Sequence, residues 1–243
     1  MNDPYTERTY RRKVHTGDLH AFEVKVRETD LWIGAAGDLQ DEARDLVFEA
    51  RRQLEGYIET HPDFPHALTP CPEDVLAPPV VQDMIRASRK VGVGPMASVA
   101  GAIAEYVGRG LLRWTDRVVV ENGGDVFLHL QRPVTVDVFA GRSRMSERIG
   151  LAVPARAMPL GVCTSSGTVG HSLSMGRADA VCVLSRDTAL ADSAATALGN
   201  RVRSQRDLEG AATWIAGIEG ISGTVMMVGK ALSAWGDVEL VAL

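Results

Sequence analysis

An α+β fold, with antiparallel sheets backed by helices, is predicted by three features of the 243-residue sequence. Short runs in which apolar residues alternate with polar ones mark strands near both ends of the chain. Between them lie segments whose apolar residues recur at helical spacing. Two helices rich in alanine and glycine, around Ala97 to Ala104 and Ala191 to Ala197, hold similar places in the two halves. This order predicts a single domain over residues 1–243 made of two pseudo-repeated halves.

The elements follow in order. Phe22, Val24 and Val26 alternate with charged residues, and Leu31 and Ile33 follow a turn at Glu28-Thr29-Asp30, a hairpin pattern. Asp38 is placed to cap a helix running to about Thr60, with Leu39, Ala43, Leu46, Val47, Ala50 and Leu54 on one face. Six prolines between residues 61 and 80 predict a loop, a linker or surface flap. Met84 to Lys90 and Met96 to Gly108 read as helices. Val118 to Val120 is a buried strand, broken by Gly123-Gly124 and resumed from Val126 to Leu130, and Val134, Val136 and Val138 form another. Ala180 to Leu184 leads into the second alanine-rich helix. Arg206 to Ile218 is helical, and Gly223 to Val228 and Val238 to Leu243 close the chain as strands.

Composition narrows the function. Hydrophobic residues make up 45% and the net charge is -5, which suits a soluble protein and lacks the basic excess of a nucleic-acid surface. Arg8, Arg11, Arg12 and Lys13 read as solvated surface. No run approaches a membrane-spanning length and the first residues lack a secretory pattern, so a cytoplasmic protein with no membrane partner is expected. Cys71, Cys163 and Cys182 are odd in number and widely spaced, which indicates neither a disulfide framework nor zinc. Exposed strand edges make a homodimer the expected assembly.

Three constellations carry chemistry. Asp192 and Thr196 stand four residues apart, on one face of an otherwise small, apolar helix. Asp187 and Thr188 compete for the cap of that helix, which puts Asp192 inside it. An acid there is either a first-turn residue favoured by the helix dipole or a ligand. One carboxylate, one hydroxyl and backbone carbonyls suit Mg²⁺, which completes its shell with water and phosphate oxygens. They do not suit zinc. The second constellation is Glu121-Asn122-Gly123-Gly124-Asp125, which reads as a hairpin turn, as a bulge, or as bare backbone against a flat ligand. The third is the hydroxyl-rich loop Thr164-Ser165-Ser166-Gly167, suited to an anion, followed by His171, which is either structural or catalytic.

At these residues the chain resembles the ApbE superfamily, whose characterised members are Mg²⁺-dependent flavin transferases that move FMN from FAD onto a Thr or Ser of a target protein. The resemblance covers roughly residues 80 to 243. Gly94 to Ala104 looks like the family's small-residue helix, whose alanine carbonyl, Ala97 here, ligates the metal. Asn122-Gly123-Gly124-Asp125 looks like its Gly-Gly-acid strand end beside the flavin. Ala191-Asp192-Ser193-Ala194-Ala195-Thr196-Ala197 resembles its metal helix, and Thr164 to Gly167 its Thr-Ser-Gly loop. The sequence departs from the pattern in two places. Ser98-Val99 stand where the family carries Lys-Gly, and the His-Ile-x-Asp-Pro-x-Thr-Gly segment is contracted to Gly170-His171-Ser172-Leu173. The resemblance implies duplicated halves of the T-fold type with a cleft between them. It also implies a metal site of Ala97, Asp192 and Thr196 and a cofactor site of Asn122, Gly123, Gly124, Thr164, Ser165, Ser166 and Gly167. Glu121, Asp125 and His171 are the expected acid–base residues. A flavin or nucleotide is the expected ligand, with an acceptor protein as partner if FMN is transferred. A flavin- or nucleotide-binding protein without chemistry is the alternative.

Overall fold

Eight antiparallel strands form the main sheet of the protein, a computed structural model of which describes residues 17–138, 149–165 and 178–243. Strands β1 (His20–Val26) and β2 (Thr29–Ala35) pair with Val26 opposite Thr29, so the turn is Arg27-Glu28. It lies earlier than expected because Thr29 and Asp30 already extend β2. Phe22, Val24 and Val26 are buried, as their alternation predicts. Helix α1 (Gln40–Thr60) buries Ala43, Leu46, Val47, Ala50 and Leu54. The cap position of α1 is Leu39, not Asp38 as expected, and makes no side-chain cap; Asp38, one residue earlier, accepts the Gln40 amide at 3.2 Å.

The proline-rich stretch is packed rather than a linker. Phe64 is buried, and the Tyr57 hydroxyl donates to Asp74 at 3.0 Å. Its last prolines begin α2 (Pro79–Val91), which is longer than expected because proline is favoured at a helix start, where no amide partner is needed. A 3-10 turn, Pro95–Ser98, then leads into α3 (Val99–Leu111).

Next come β3 (Val118–Asn122), β4 (Asp125–His129), β5 (Val134–Asp137), β6 (Ile149–Val153), β7 (Leu160–Ser165) and β8 (Ala180–Ser185). Helices α4 (Thr188–Arg201) and α5 (Leu208–Ala216) precede β9 (Ile221–Val228), β10 (Ala231–Gly236) and β11 (Leu240–Ala242).

The main sheet runs β1-β2-β3-β4-β7-β8-β9-β10. A hairpin, a group of helices and a second hairpin thus occur twice in chain order, the duplication that the two alanine-rich helices suggest. The closing strand Val238 to Leu243 behaves differently from expectation. Its ordered part, β11, joins β6 and β5 in a separate three-stranded sheet, and β10 takes the place beside β9. Among the described residues the edge strands of the main sheet are β1 and β10. Among the described residues no single helix is long and apolar enough to cross a membrane.

Helices α3 and α4 lie at the centre, α3 against β3 and β4, α4 against β7 and β8, and each against the other. Glycine sets how closely they approach. A Cβ on Gly101 of α3 would sit 2.5 Å from the Thr188 carbonyl oxygen and 2.8 Å from the Asp192 Cβ. One on Gly161 of β7 would sit 2.6 Å from the Thr188 Cα. The small residues in both helices are therefore what lets two helices and a sheet meet here.

Candidate functional site

Asp187 caps α4, its carboxylate accepting the Leu190 amide at 2.9 Å, so Asp192 lies inside the helix as the sequence implies. From Thr188 to Gly199 every residue of α4 is buried except Asp192 and Thr196, and Asn200 continues their line one turn further on. This stripe, spaced by four, is the open face of a helix otherwise sealed in the core.

Asp192 reaches across to α3. Its Oδ2 accepts the Gly101 amide at 2.8 Å, and the Ala100 amide also donates to the carboxylate. Ser98, which stands at the cap position of α3, makes no side-chain cap; its hydroxyl goes to the Pro95 and Met84 carbonyls instead. Asp192 therefore caps α3 from a neighbouring helix. Burial raises its pKa to about 7, against the pull of the two amides.

The β3–β4 hairpin joins the same place. Asn122 donates through Nδ2 to the Ala100 carbonyl at 3.0 Å, and Glu121 accepts the Gly124 amide at 2.8 Å. Asn122 pairs with Asp125, leaving Gly123 and Gly124 as a two-residue turn with φ of 66° and 107°. A Cβ would meet nothing within 4 Å at Gly123, and at Gly124 only the Thr164 oxygen at 3.9 Å. The turn conformation thus accounts for both glycines. Gly124→Val is expected to cost about 1–2 kcal/mol from the positive φ alone, read as a lower urea midpoint.

Asp125 is buried beside this turn. Loss of hydration, then the nearby charge of Asp192, and more weakly that of Glu121, raise its pKa well above the ordinary range. The Cys163 thiol and the Thr164 amide, both hydrogen-bonded to it, oppose the rise. Cys163 is pushed far up by burial and by Asp125; its thiol lies within hydrogen-bond reach of the Thr188 carbonyl, at 3.5 Å, as well as of Asp125, and it is fully buried. Thr164 and Ser165 belong to the end of β7 rather than to a loop. The Ser165 hydroxyl is buried with no hydrogen-bond partner among the described residues. Ala97 lies in the 3-10 turn before α3, partly exposed. Ser166, Gly167 and His171 fall outside the described residues.

The structure thus gathers Glu121, Asn122, Asp125, Thr164 and Asp192 around the start of α3. Sequence reasoning passed over one acid nearby, Glu105 of α3, which accepts the Thr188 amide at 2.6 Å. Like Asp192 it is an acid on a small-residue helix, but its bond to an amide of another helix leaves no local pattern in the sequence.

Among the described residues no three His, Cys, Asp or Glu side chains are placed to hold a metal ion together. A cation here would rely on one carboxylate, hydroxyls, backbone carbonyls and the ligand's own oxygens, the donor set of Mg²⁺.

A family model described as AbpE bacteria matches residues 11–212. The chain belongs to that family. A UPF0280 protein of Methanosarcina barkeri (strain Fusaro) is 38% identical over 247 residues, covering 98% of this chain and 94% of its own. One from Methanocella arvoryzae is 40% identical over 215 residues, covering 87% and 86%. Among solved structures, the flavinyl transferase ApbE of Pseudomonas stutzeri matches with a TM-score of 0.54 at 14% identity, over 89% of this chain and 94% of that one. The ApbE protein of Thermotoga maritima matches with a TM-score of 0.59 at 11% identity, over 88% and 96%. At these identities the likeness shows a shared fold, the one the sequence resemblance implies.

Proposed function

We propose that the protein binds FAD, or a related dinucleotide, through Mg²⁺ held by Asp192, Thr196 and the Ala97 carbonyl. It then breaks the diphosphate, passing FMN to a threonine or serine of an acceptor protein or to water. The observation that carries this reading is the Asp192–Thr196 stripe, the open face of a buried helix, beside the start of α3 and the β3–β4 turn. The residues fit a hard cation. A carboxylate offers about four acceptor sites, of which the Ala100 and Gly101 amides use two. The Thr196 hydroxyl has no hydrogen bond among the described residues.

Mg²⁺ bound there would neutralise the diphosphate and stabilise charge developing at phosphorus. The protein's own groups do the rest. Asn122 fixes the Ala100 carbonyl and with it the start of α3. The Ser165 hydroxyl, unpartnered among the described residues, with Thr164, Ser166 and Gly167 provides donors for phosphate oxygens, and Gly123 and Gly124 present bare backbone to the ligand. Asp125, Glu121 and His171 are the candidates for taking the proton from the attacking hydroxyl. A cytoplasmic location belongs to the same proposal, since three free thiols suit a reducing compartment. So does a homodimer, with β1 and β10 as the edges open to it.

One observation favours binding without turnover. Asp192 and Glu121 already accept backbone amides, and Asp125 is sealed beneath them. Calorimetric titration with FAD, with and without Mg²⁺, together with chromatography of the products, separates the readings. At a hundred times its Kd, FAD with Mg²⁺ is expected to add about 2.7 kcal/mol of stability. Thr196→Val, which leaves the α3 cap intact, should lose the Mg²⁺-dependent part. Release of FMN and AMP selects hydrolysis, AMP released with FMN left on a protein hydroxyl selects transfer, and FAD bound and returned unchanged selects a carrier. Binding of FAD that is indifferent to Mg²⁺ in the wild type, or fully kept in Asp192→Ala, would refute both.

A further inference from the structure

The contact between α3 and α4 is reciprocal. Asp192 of α4 accepts the Gly101 amide at the start of α3 at 2.8 Å, and Glu105 of α3 accepts the Thr188 amide at the start of α4 at 2.6 Å. In each helix the donating amide and the accepting carboxylate are four residues apart, Gly101 to Glu105 and Thr188 to Asp192. Two antiparallel helices thus cap each other through one exchanged pair of bonds, as a two-fold axis between the duplicated halves would produce.

The two ends differ in what lies one turn further on. After Asp192 comes Thr196, with its hydroxyl unengaged among the described residues. After Glu105 comes Arg109, whose Nε donates to the Glu105 carboxylate at 2.6 Å. One half carries a fixed guanidinium beside its acid, and the other leaves its acid for a cation supplied from outside. Glu105 is also better enclosed than its partner, its side chain 16% exposed against 51% for Arg109, so the pair is not an ordinary surface bridge.

We propose that Glu105, paired with Arg109, is the positioning residue of the Asp192 site. By holding the first amide of α4 it fixes the axial register of α4 on α3. Register determines whether Asp192 meets the Ala100 and Gly101 amides with one side of its carboxylate while turning the other, with Thr196, to a cation. This inference rests on the reading given above. Arg109 gains a second anchor from the Arg186 carbonyl at 3.5 Å, beside the same helix start. A slip of α4 would break both anchors together.

The test uses the whole chain and Mn²⁺ alone as the probe, followed by electron paramagnetic resonance. Groups that orient a metal ligand from behind typically contribute 10–100-fold in affinity, so Glu105→Ala should weaken Mn²⁺ binding at least about tenfold in protein that remains folded. Glu105→Gln, whose amide oxygen can still accept from Thr188, should recover most of that loss. Ser204→Ala is the control: it removes the capping box before α5 and lowers stability without touching α3 or α4. Mn²⁺ affinity unchanged in Glu105→Ala would overturn the proposal. If the wild type binds no Mn²⁺, the functional reading fails, and the clamp is decided separately by amide hydrogen exchange in metal-free protein. There Glu105→Ala should speed exchange at Gly101, an amide that Glu105 does not touch, well beyond the change in Ser204→Ala. Equal exchange in the two variants would sink the clamp on its own.

Discussion

Gly101→Ala is expected to be among the most damaging single-methyl additions in the chain, lowering stability by about 3 kcal/mol and the melting midpoint by about 6–12 °C. The added carbon would lie 2.5 Å from a backbone oxygen and 2.8 Å from the Asp192 Cβ. Neither atom lies at the end of a flexible side chain, so no rotamer change relieves the overlap, and α3 must move off α4. That movement lengthens the Gly101–Asp192 hydrogen bond and leaves a part-buried carboxylate with one amide fewer, which adds to the steric cost. At Gly56, on α1, an added Cβ meets nothing within 4 Å. Gly56→Ala should therefore be neutral or slightly stabilising, since alanine is the better helix former. Thermal unfolding of the two variants side by side measures the difference. A Gly101→Ala midpoint within 2 °C of wild type would mean the helices are not in the contact described.

The sequence made much of this arrangement legible, and the failures have physical causes. The stripe on α1 and the cap at Asp187 could be read because each depends on neighbours a turn away. The hairpin at Asn122 to Asp125 was recognisable as one of three readings, and the unbroken register of β3 on β4 makes it a two-residue turn without a bulge. β6, whose Ile149, Leu151 and Val153 alternate with small residues, was overlooked because Gly150 and Ala152 leave its polar face without polar side chains. The pairing of β11 with β6, and not with the main sheet, depends on partners about ninety residues away, which no local pattern records. At the site, Asp192 stood out as an acid among alanines. Its structural task did not, because the amides it caps belong to another helix. The role of Glu105 was hidden for the same reason: a cap in trans has no sequence signature.

Stability of the wild type, measured without metal, is expected to fall as pH rises from 5 to 8. Asp192 titrates at about 7 in the folded protein against an ordinary 3.8, so the folded state holds a proton that the unfolded state has released over that interval. Its contribution is fully present below about pH 4 and is lost as pH rises through 7. At 1.36 kcal/mol per unit the whole rise of about three units amounts to about 4 kcal/mol, of which about 3 kcal/mol, or about 5–10 °C in the melting midpoint, falls between pH 5 and 8. Asp125 acts in the same direction, because burial and the Asp192 charge both raise its pKa. Exposed acids with lowered pKa, such as Asp18, Asp74 and Asp207, have the opposite sign, but their contribution disappears only in more acid solution, outside the window. Asp192→Asn separates the cause. Its amide oxygen can still accept from Gly101, while the charge facing Asp125 is gone, so the variant should match the wild type near pH 5 and exceed it at pH 8. Adding Mg²⁺ at pH 8 should restore the wild type and leave Asp192→Asn unmoved, because a cation repays the cost of the ionised carboxylate only where one exists. A melting midpoint level from pH 5 to 8 in the wild type, or an equal slope in the variant, would show that the acid beside α3 is not held as described.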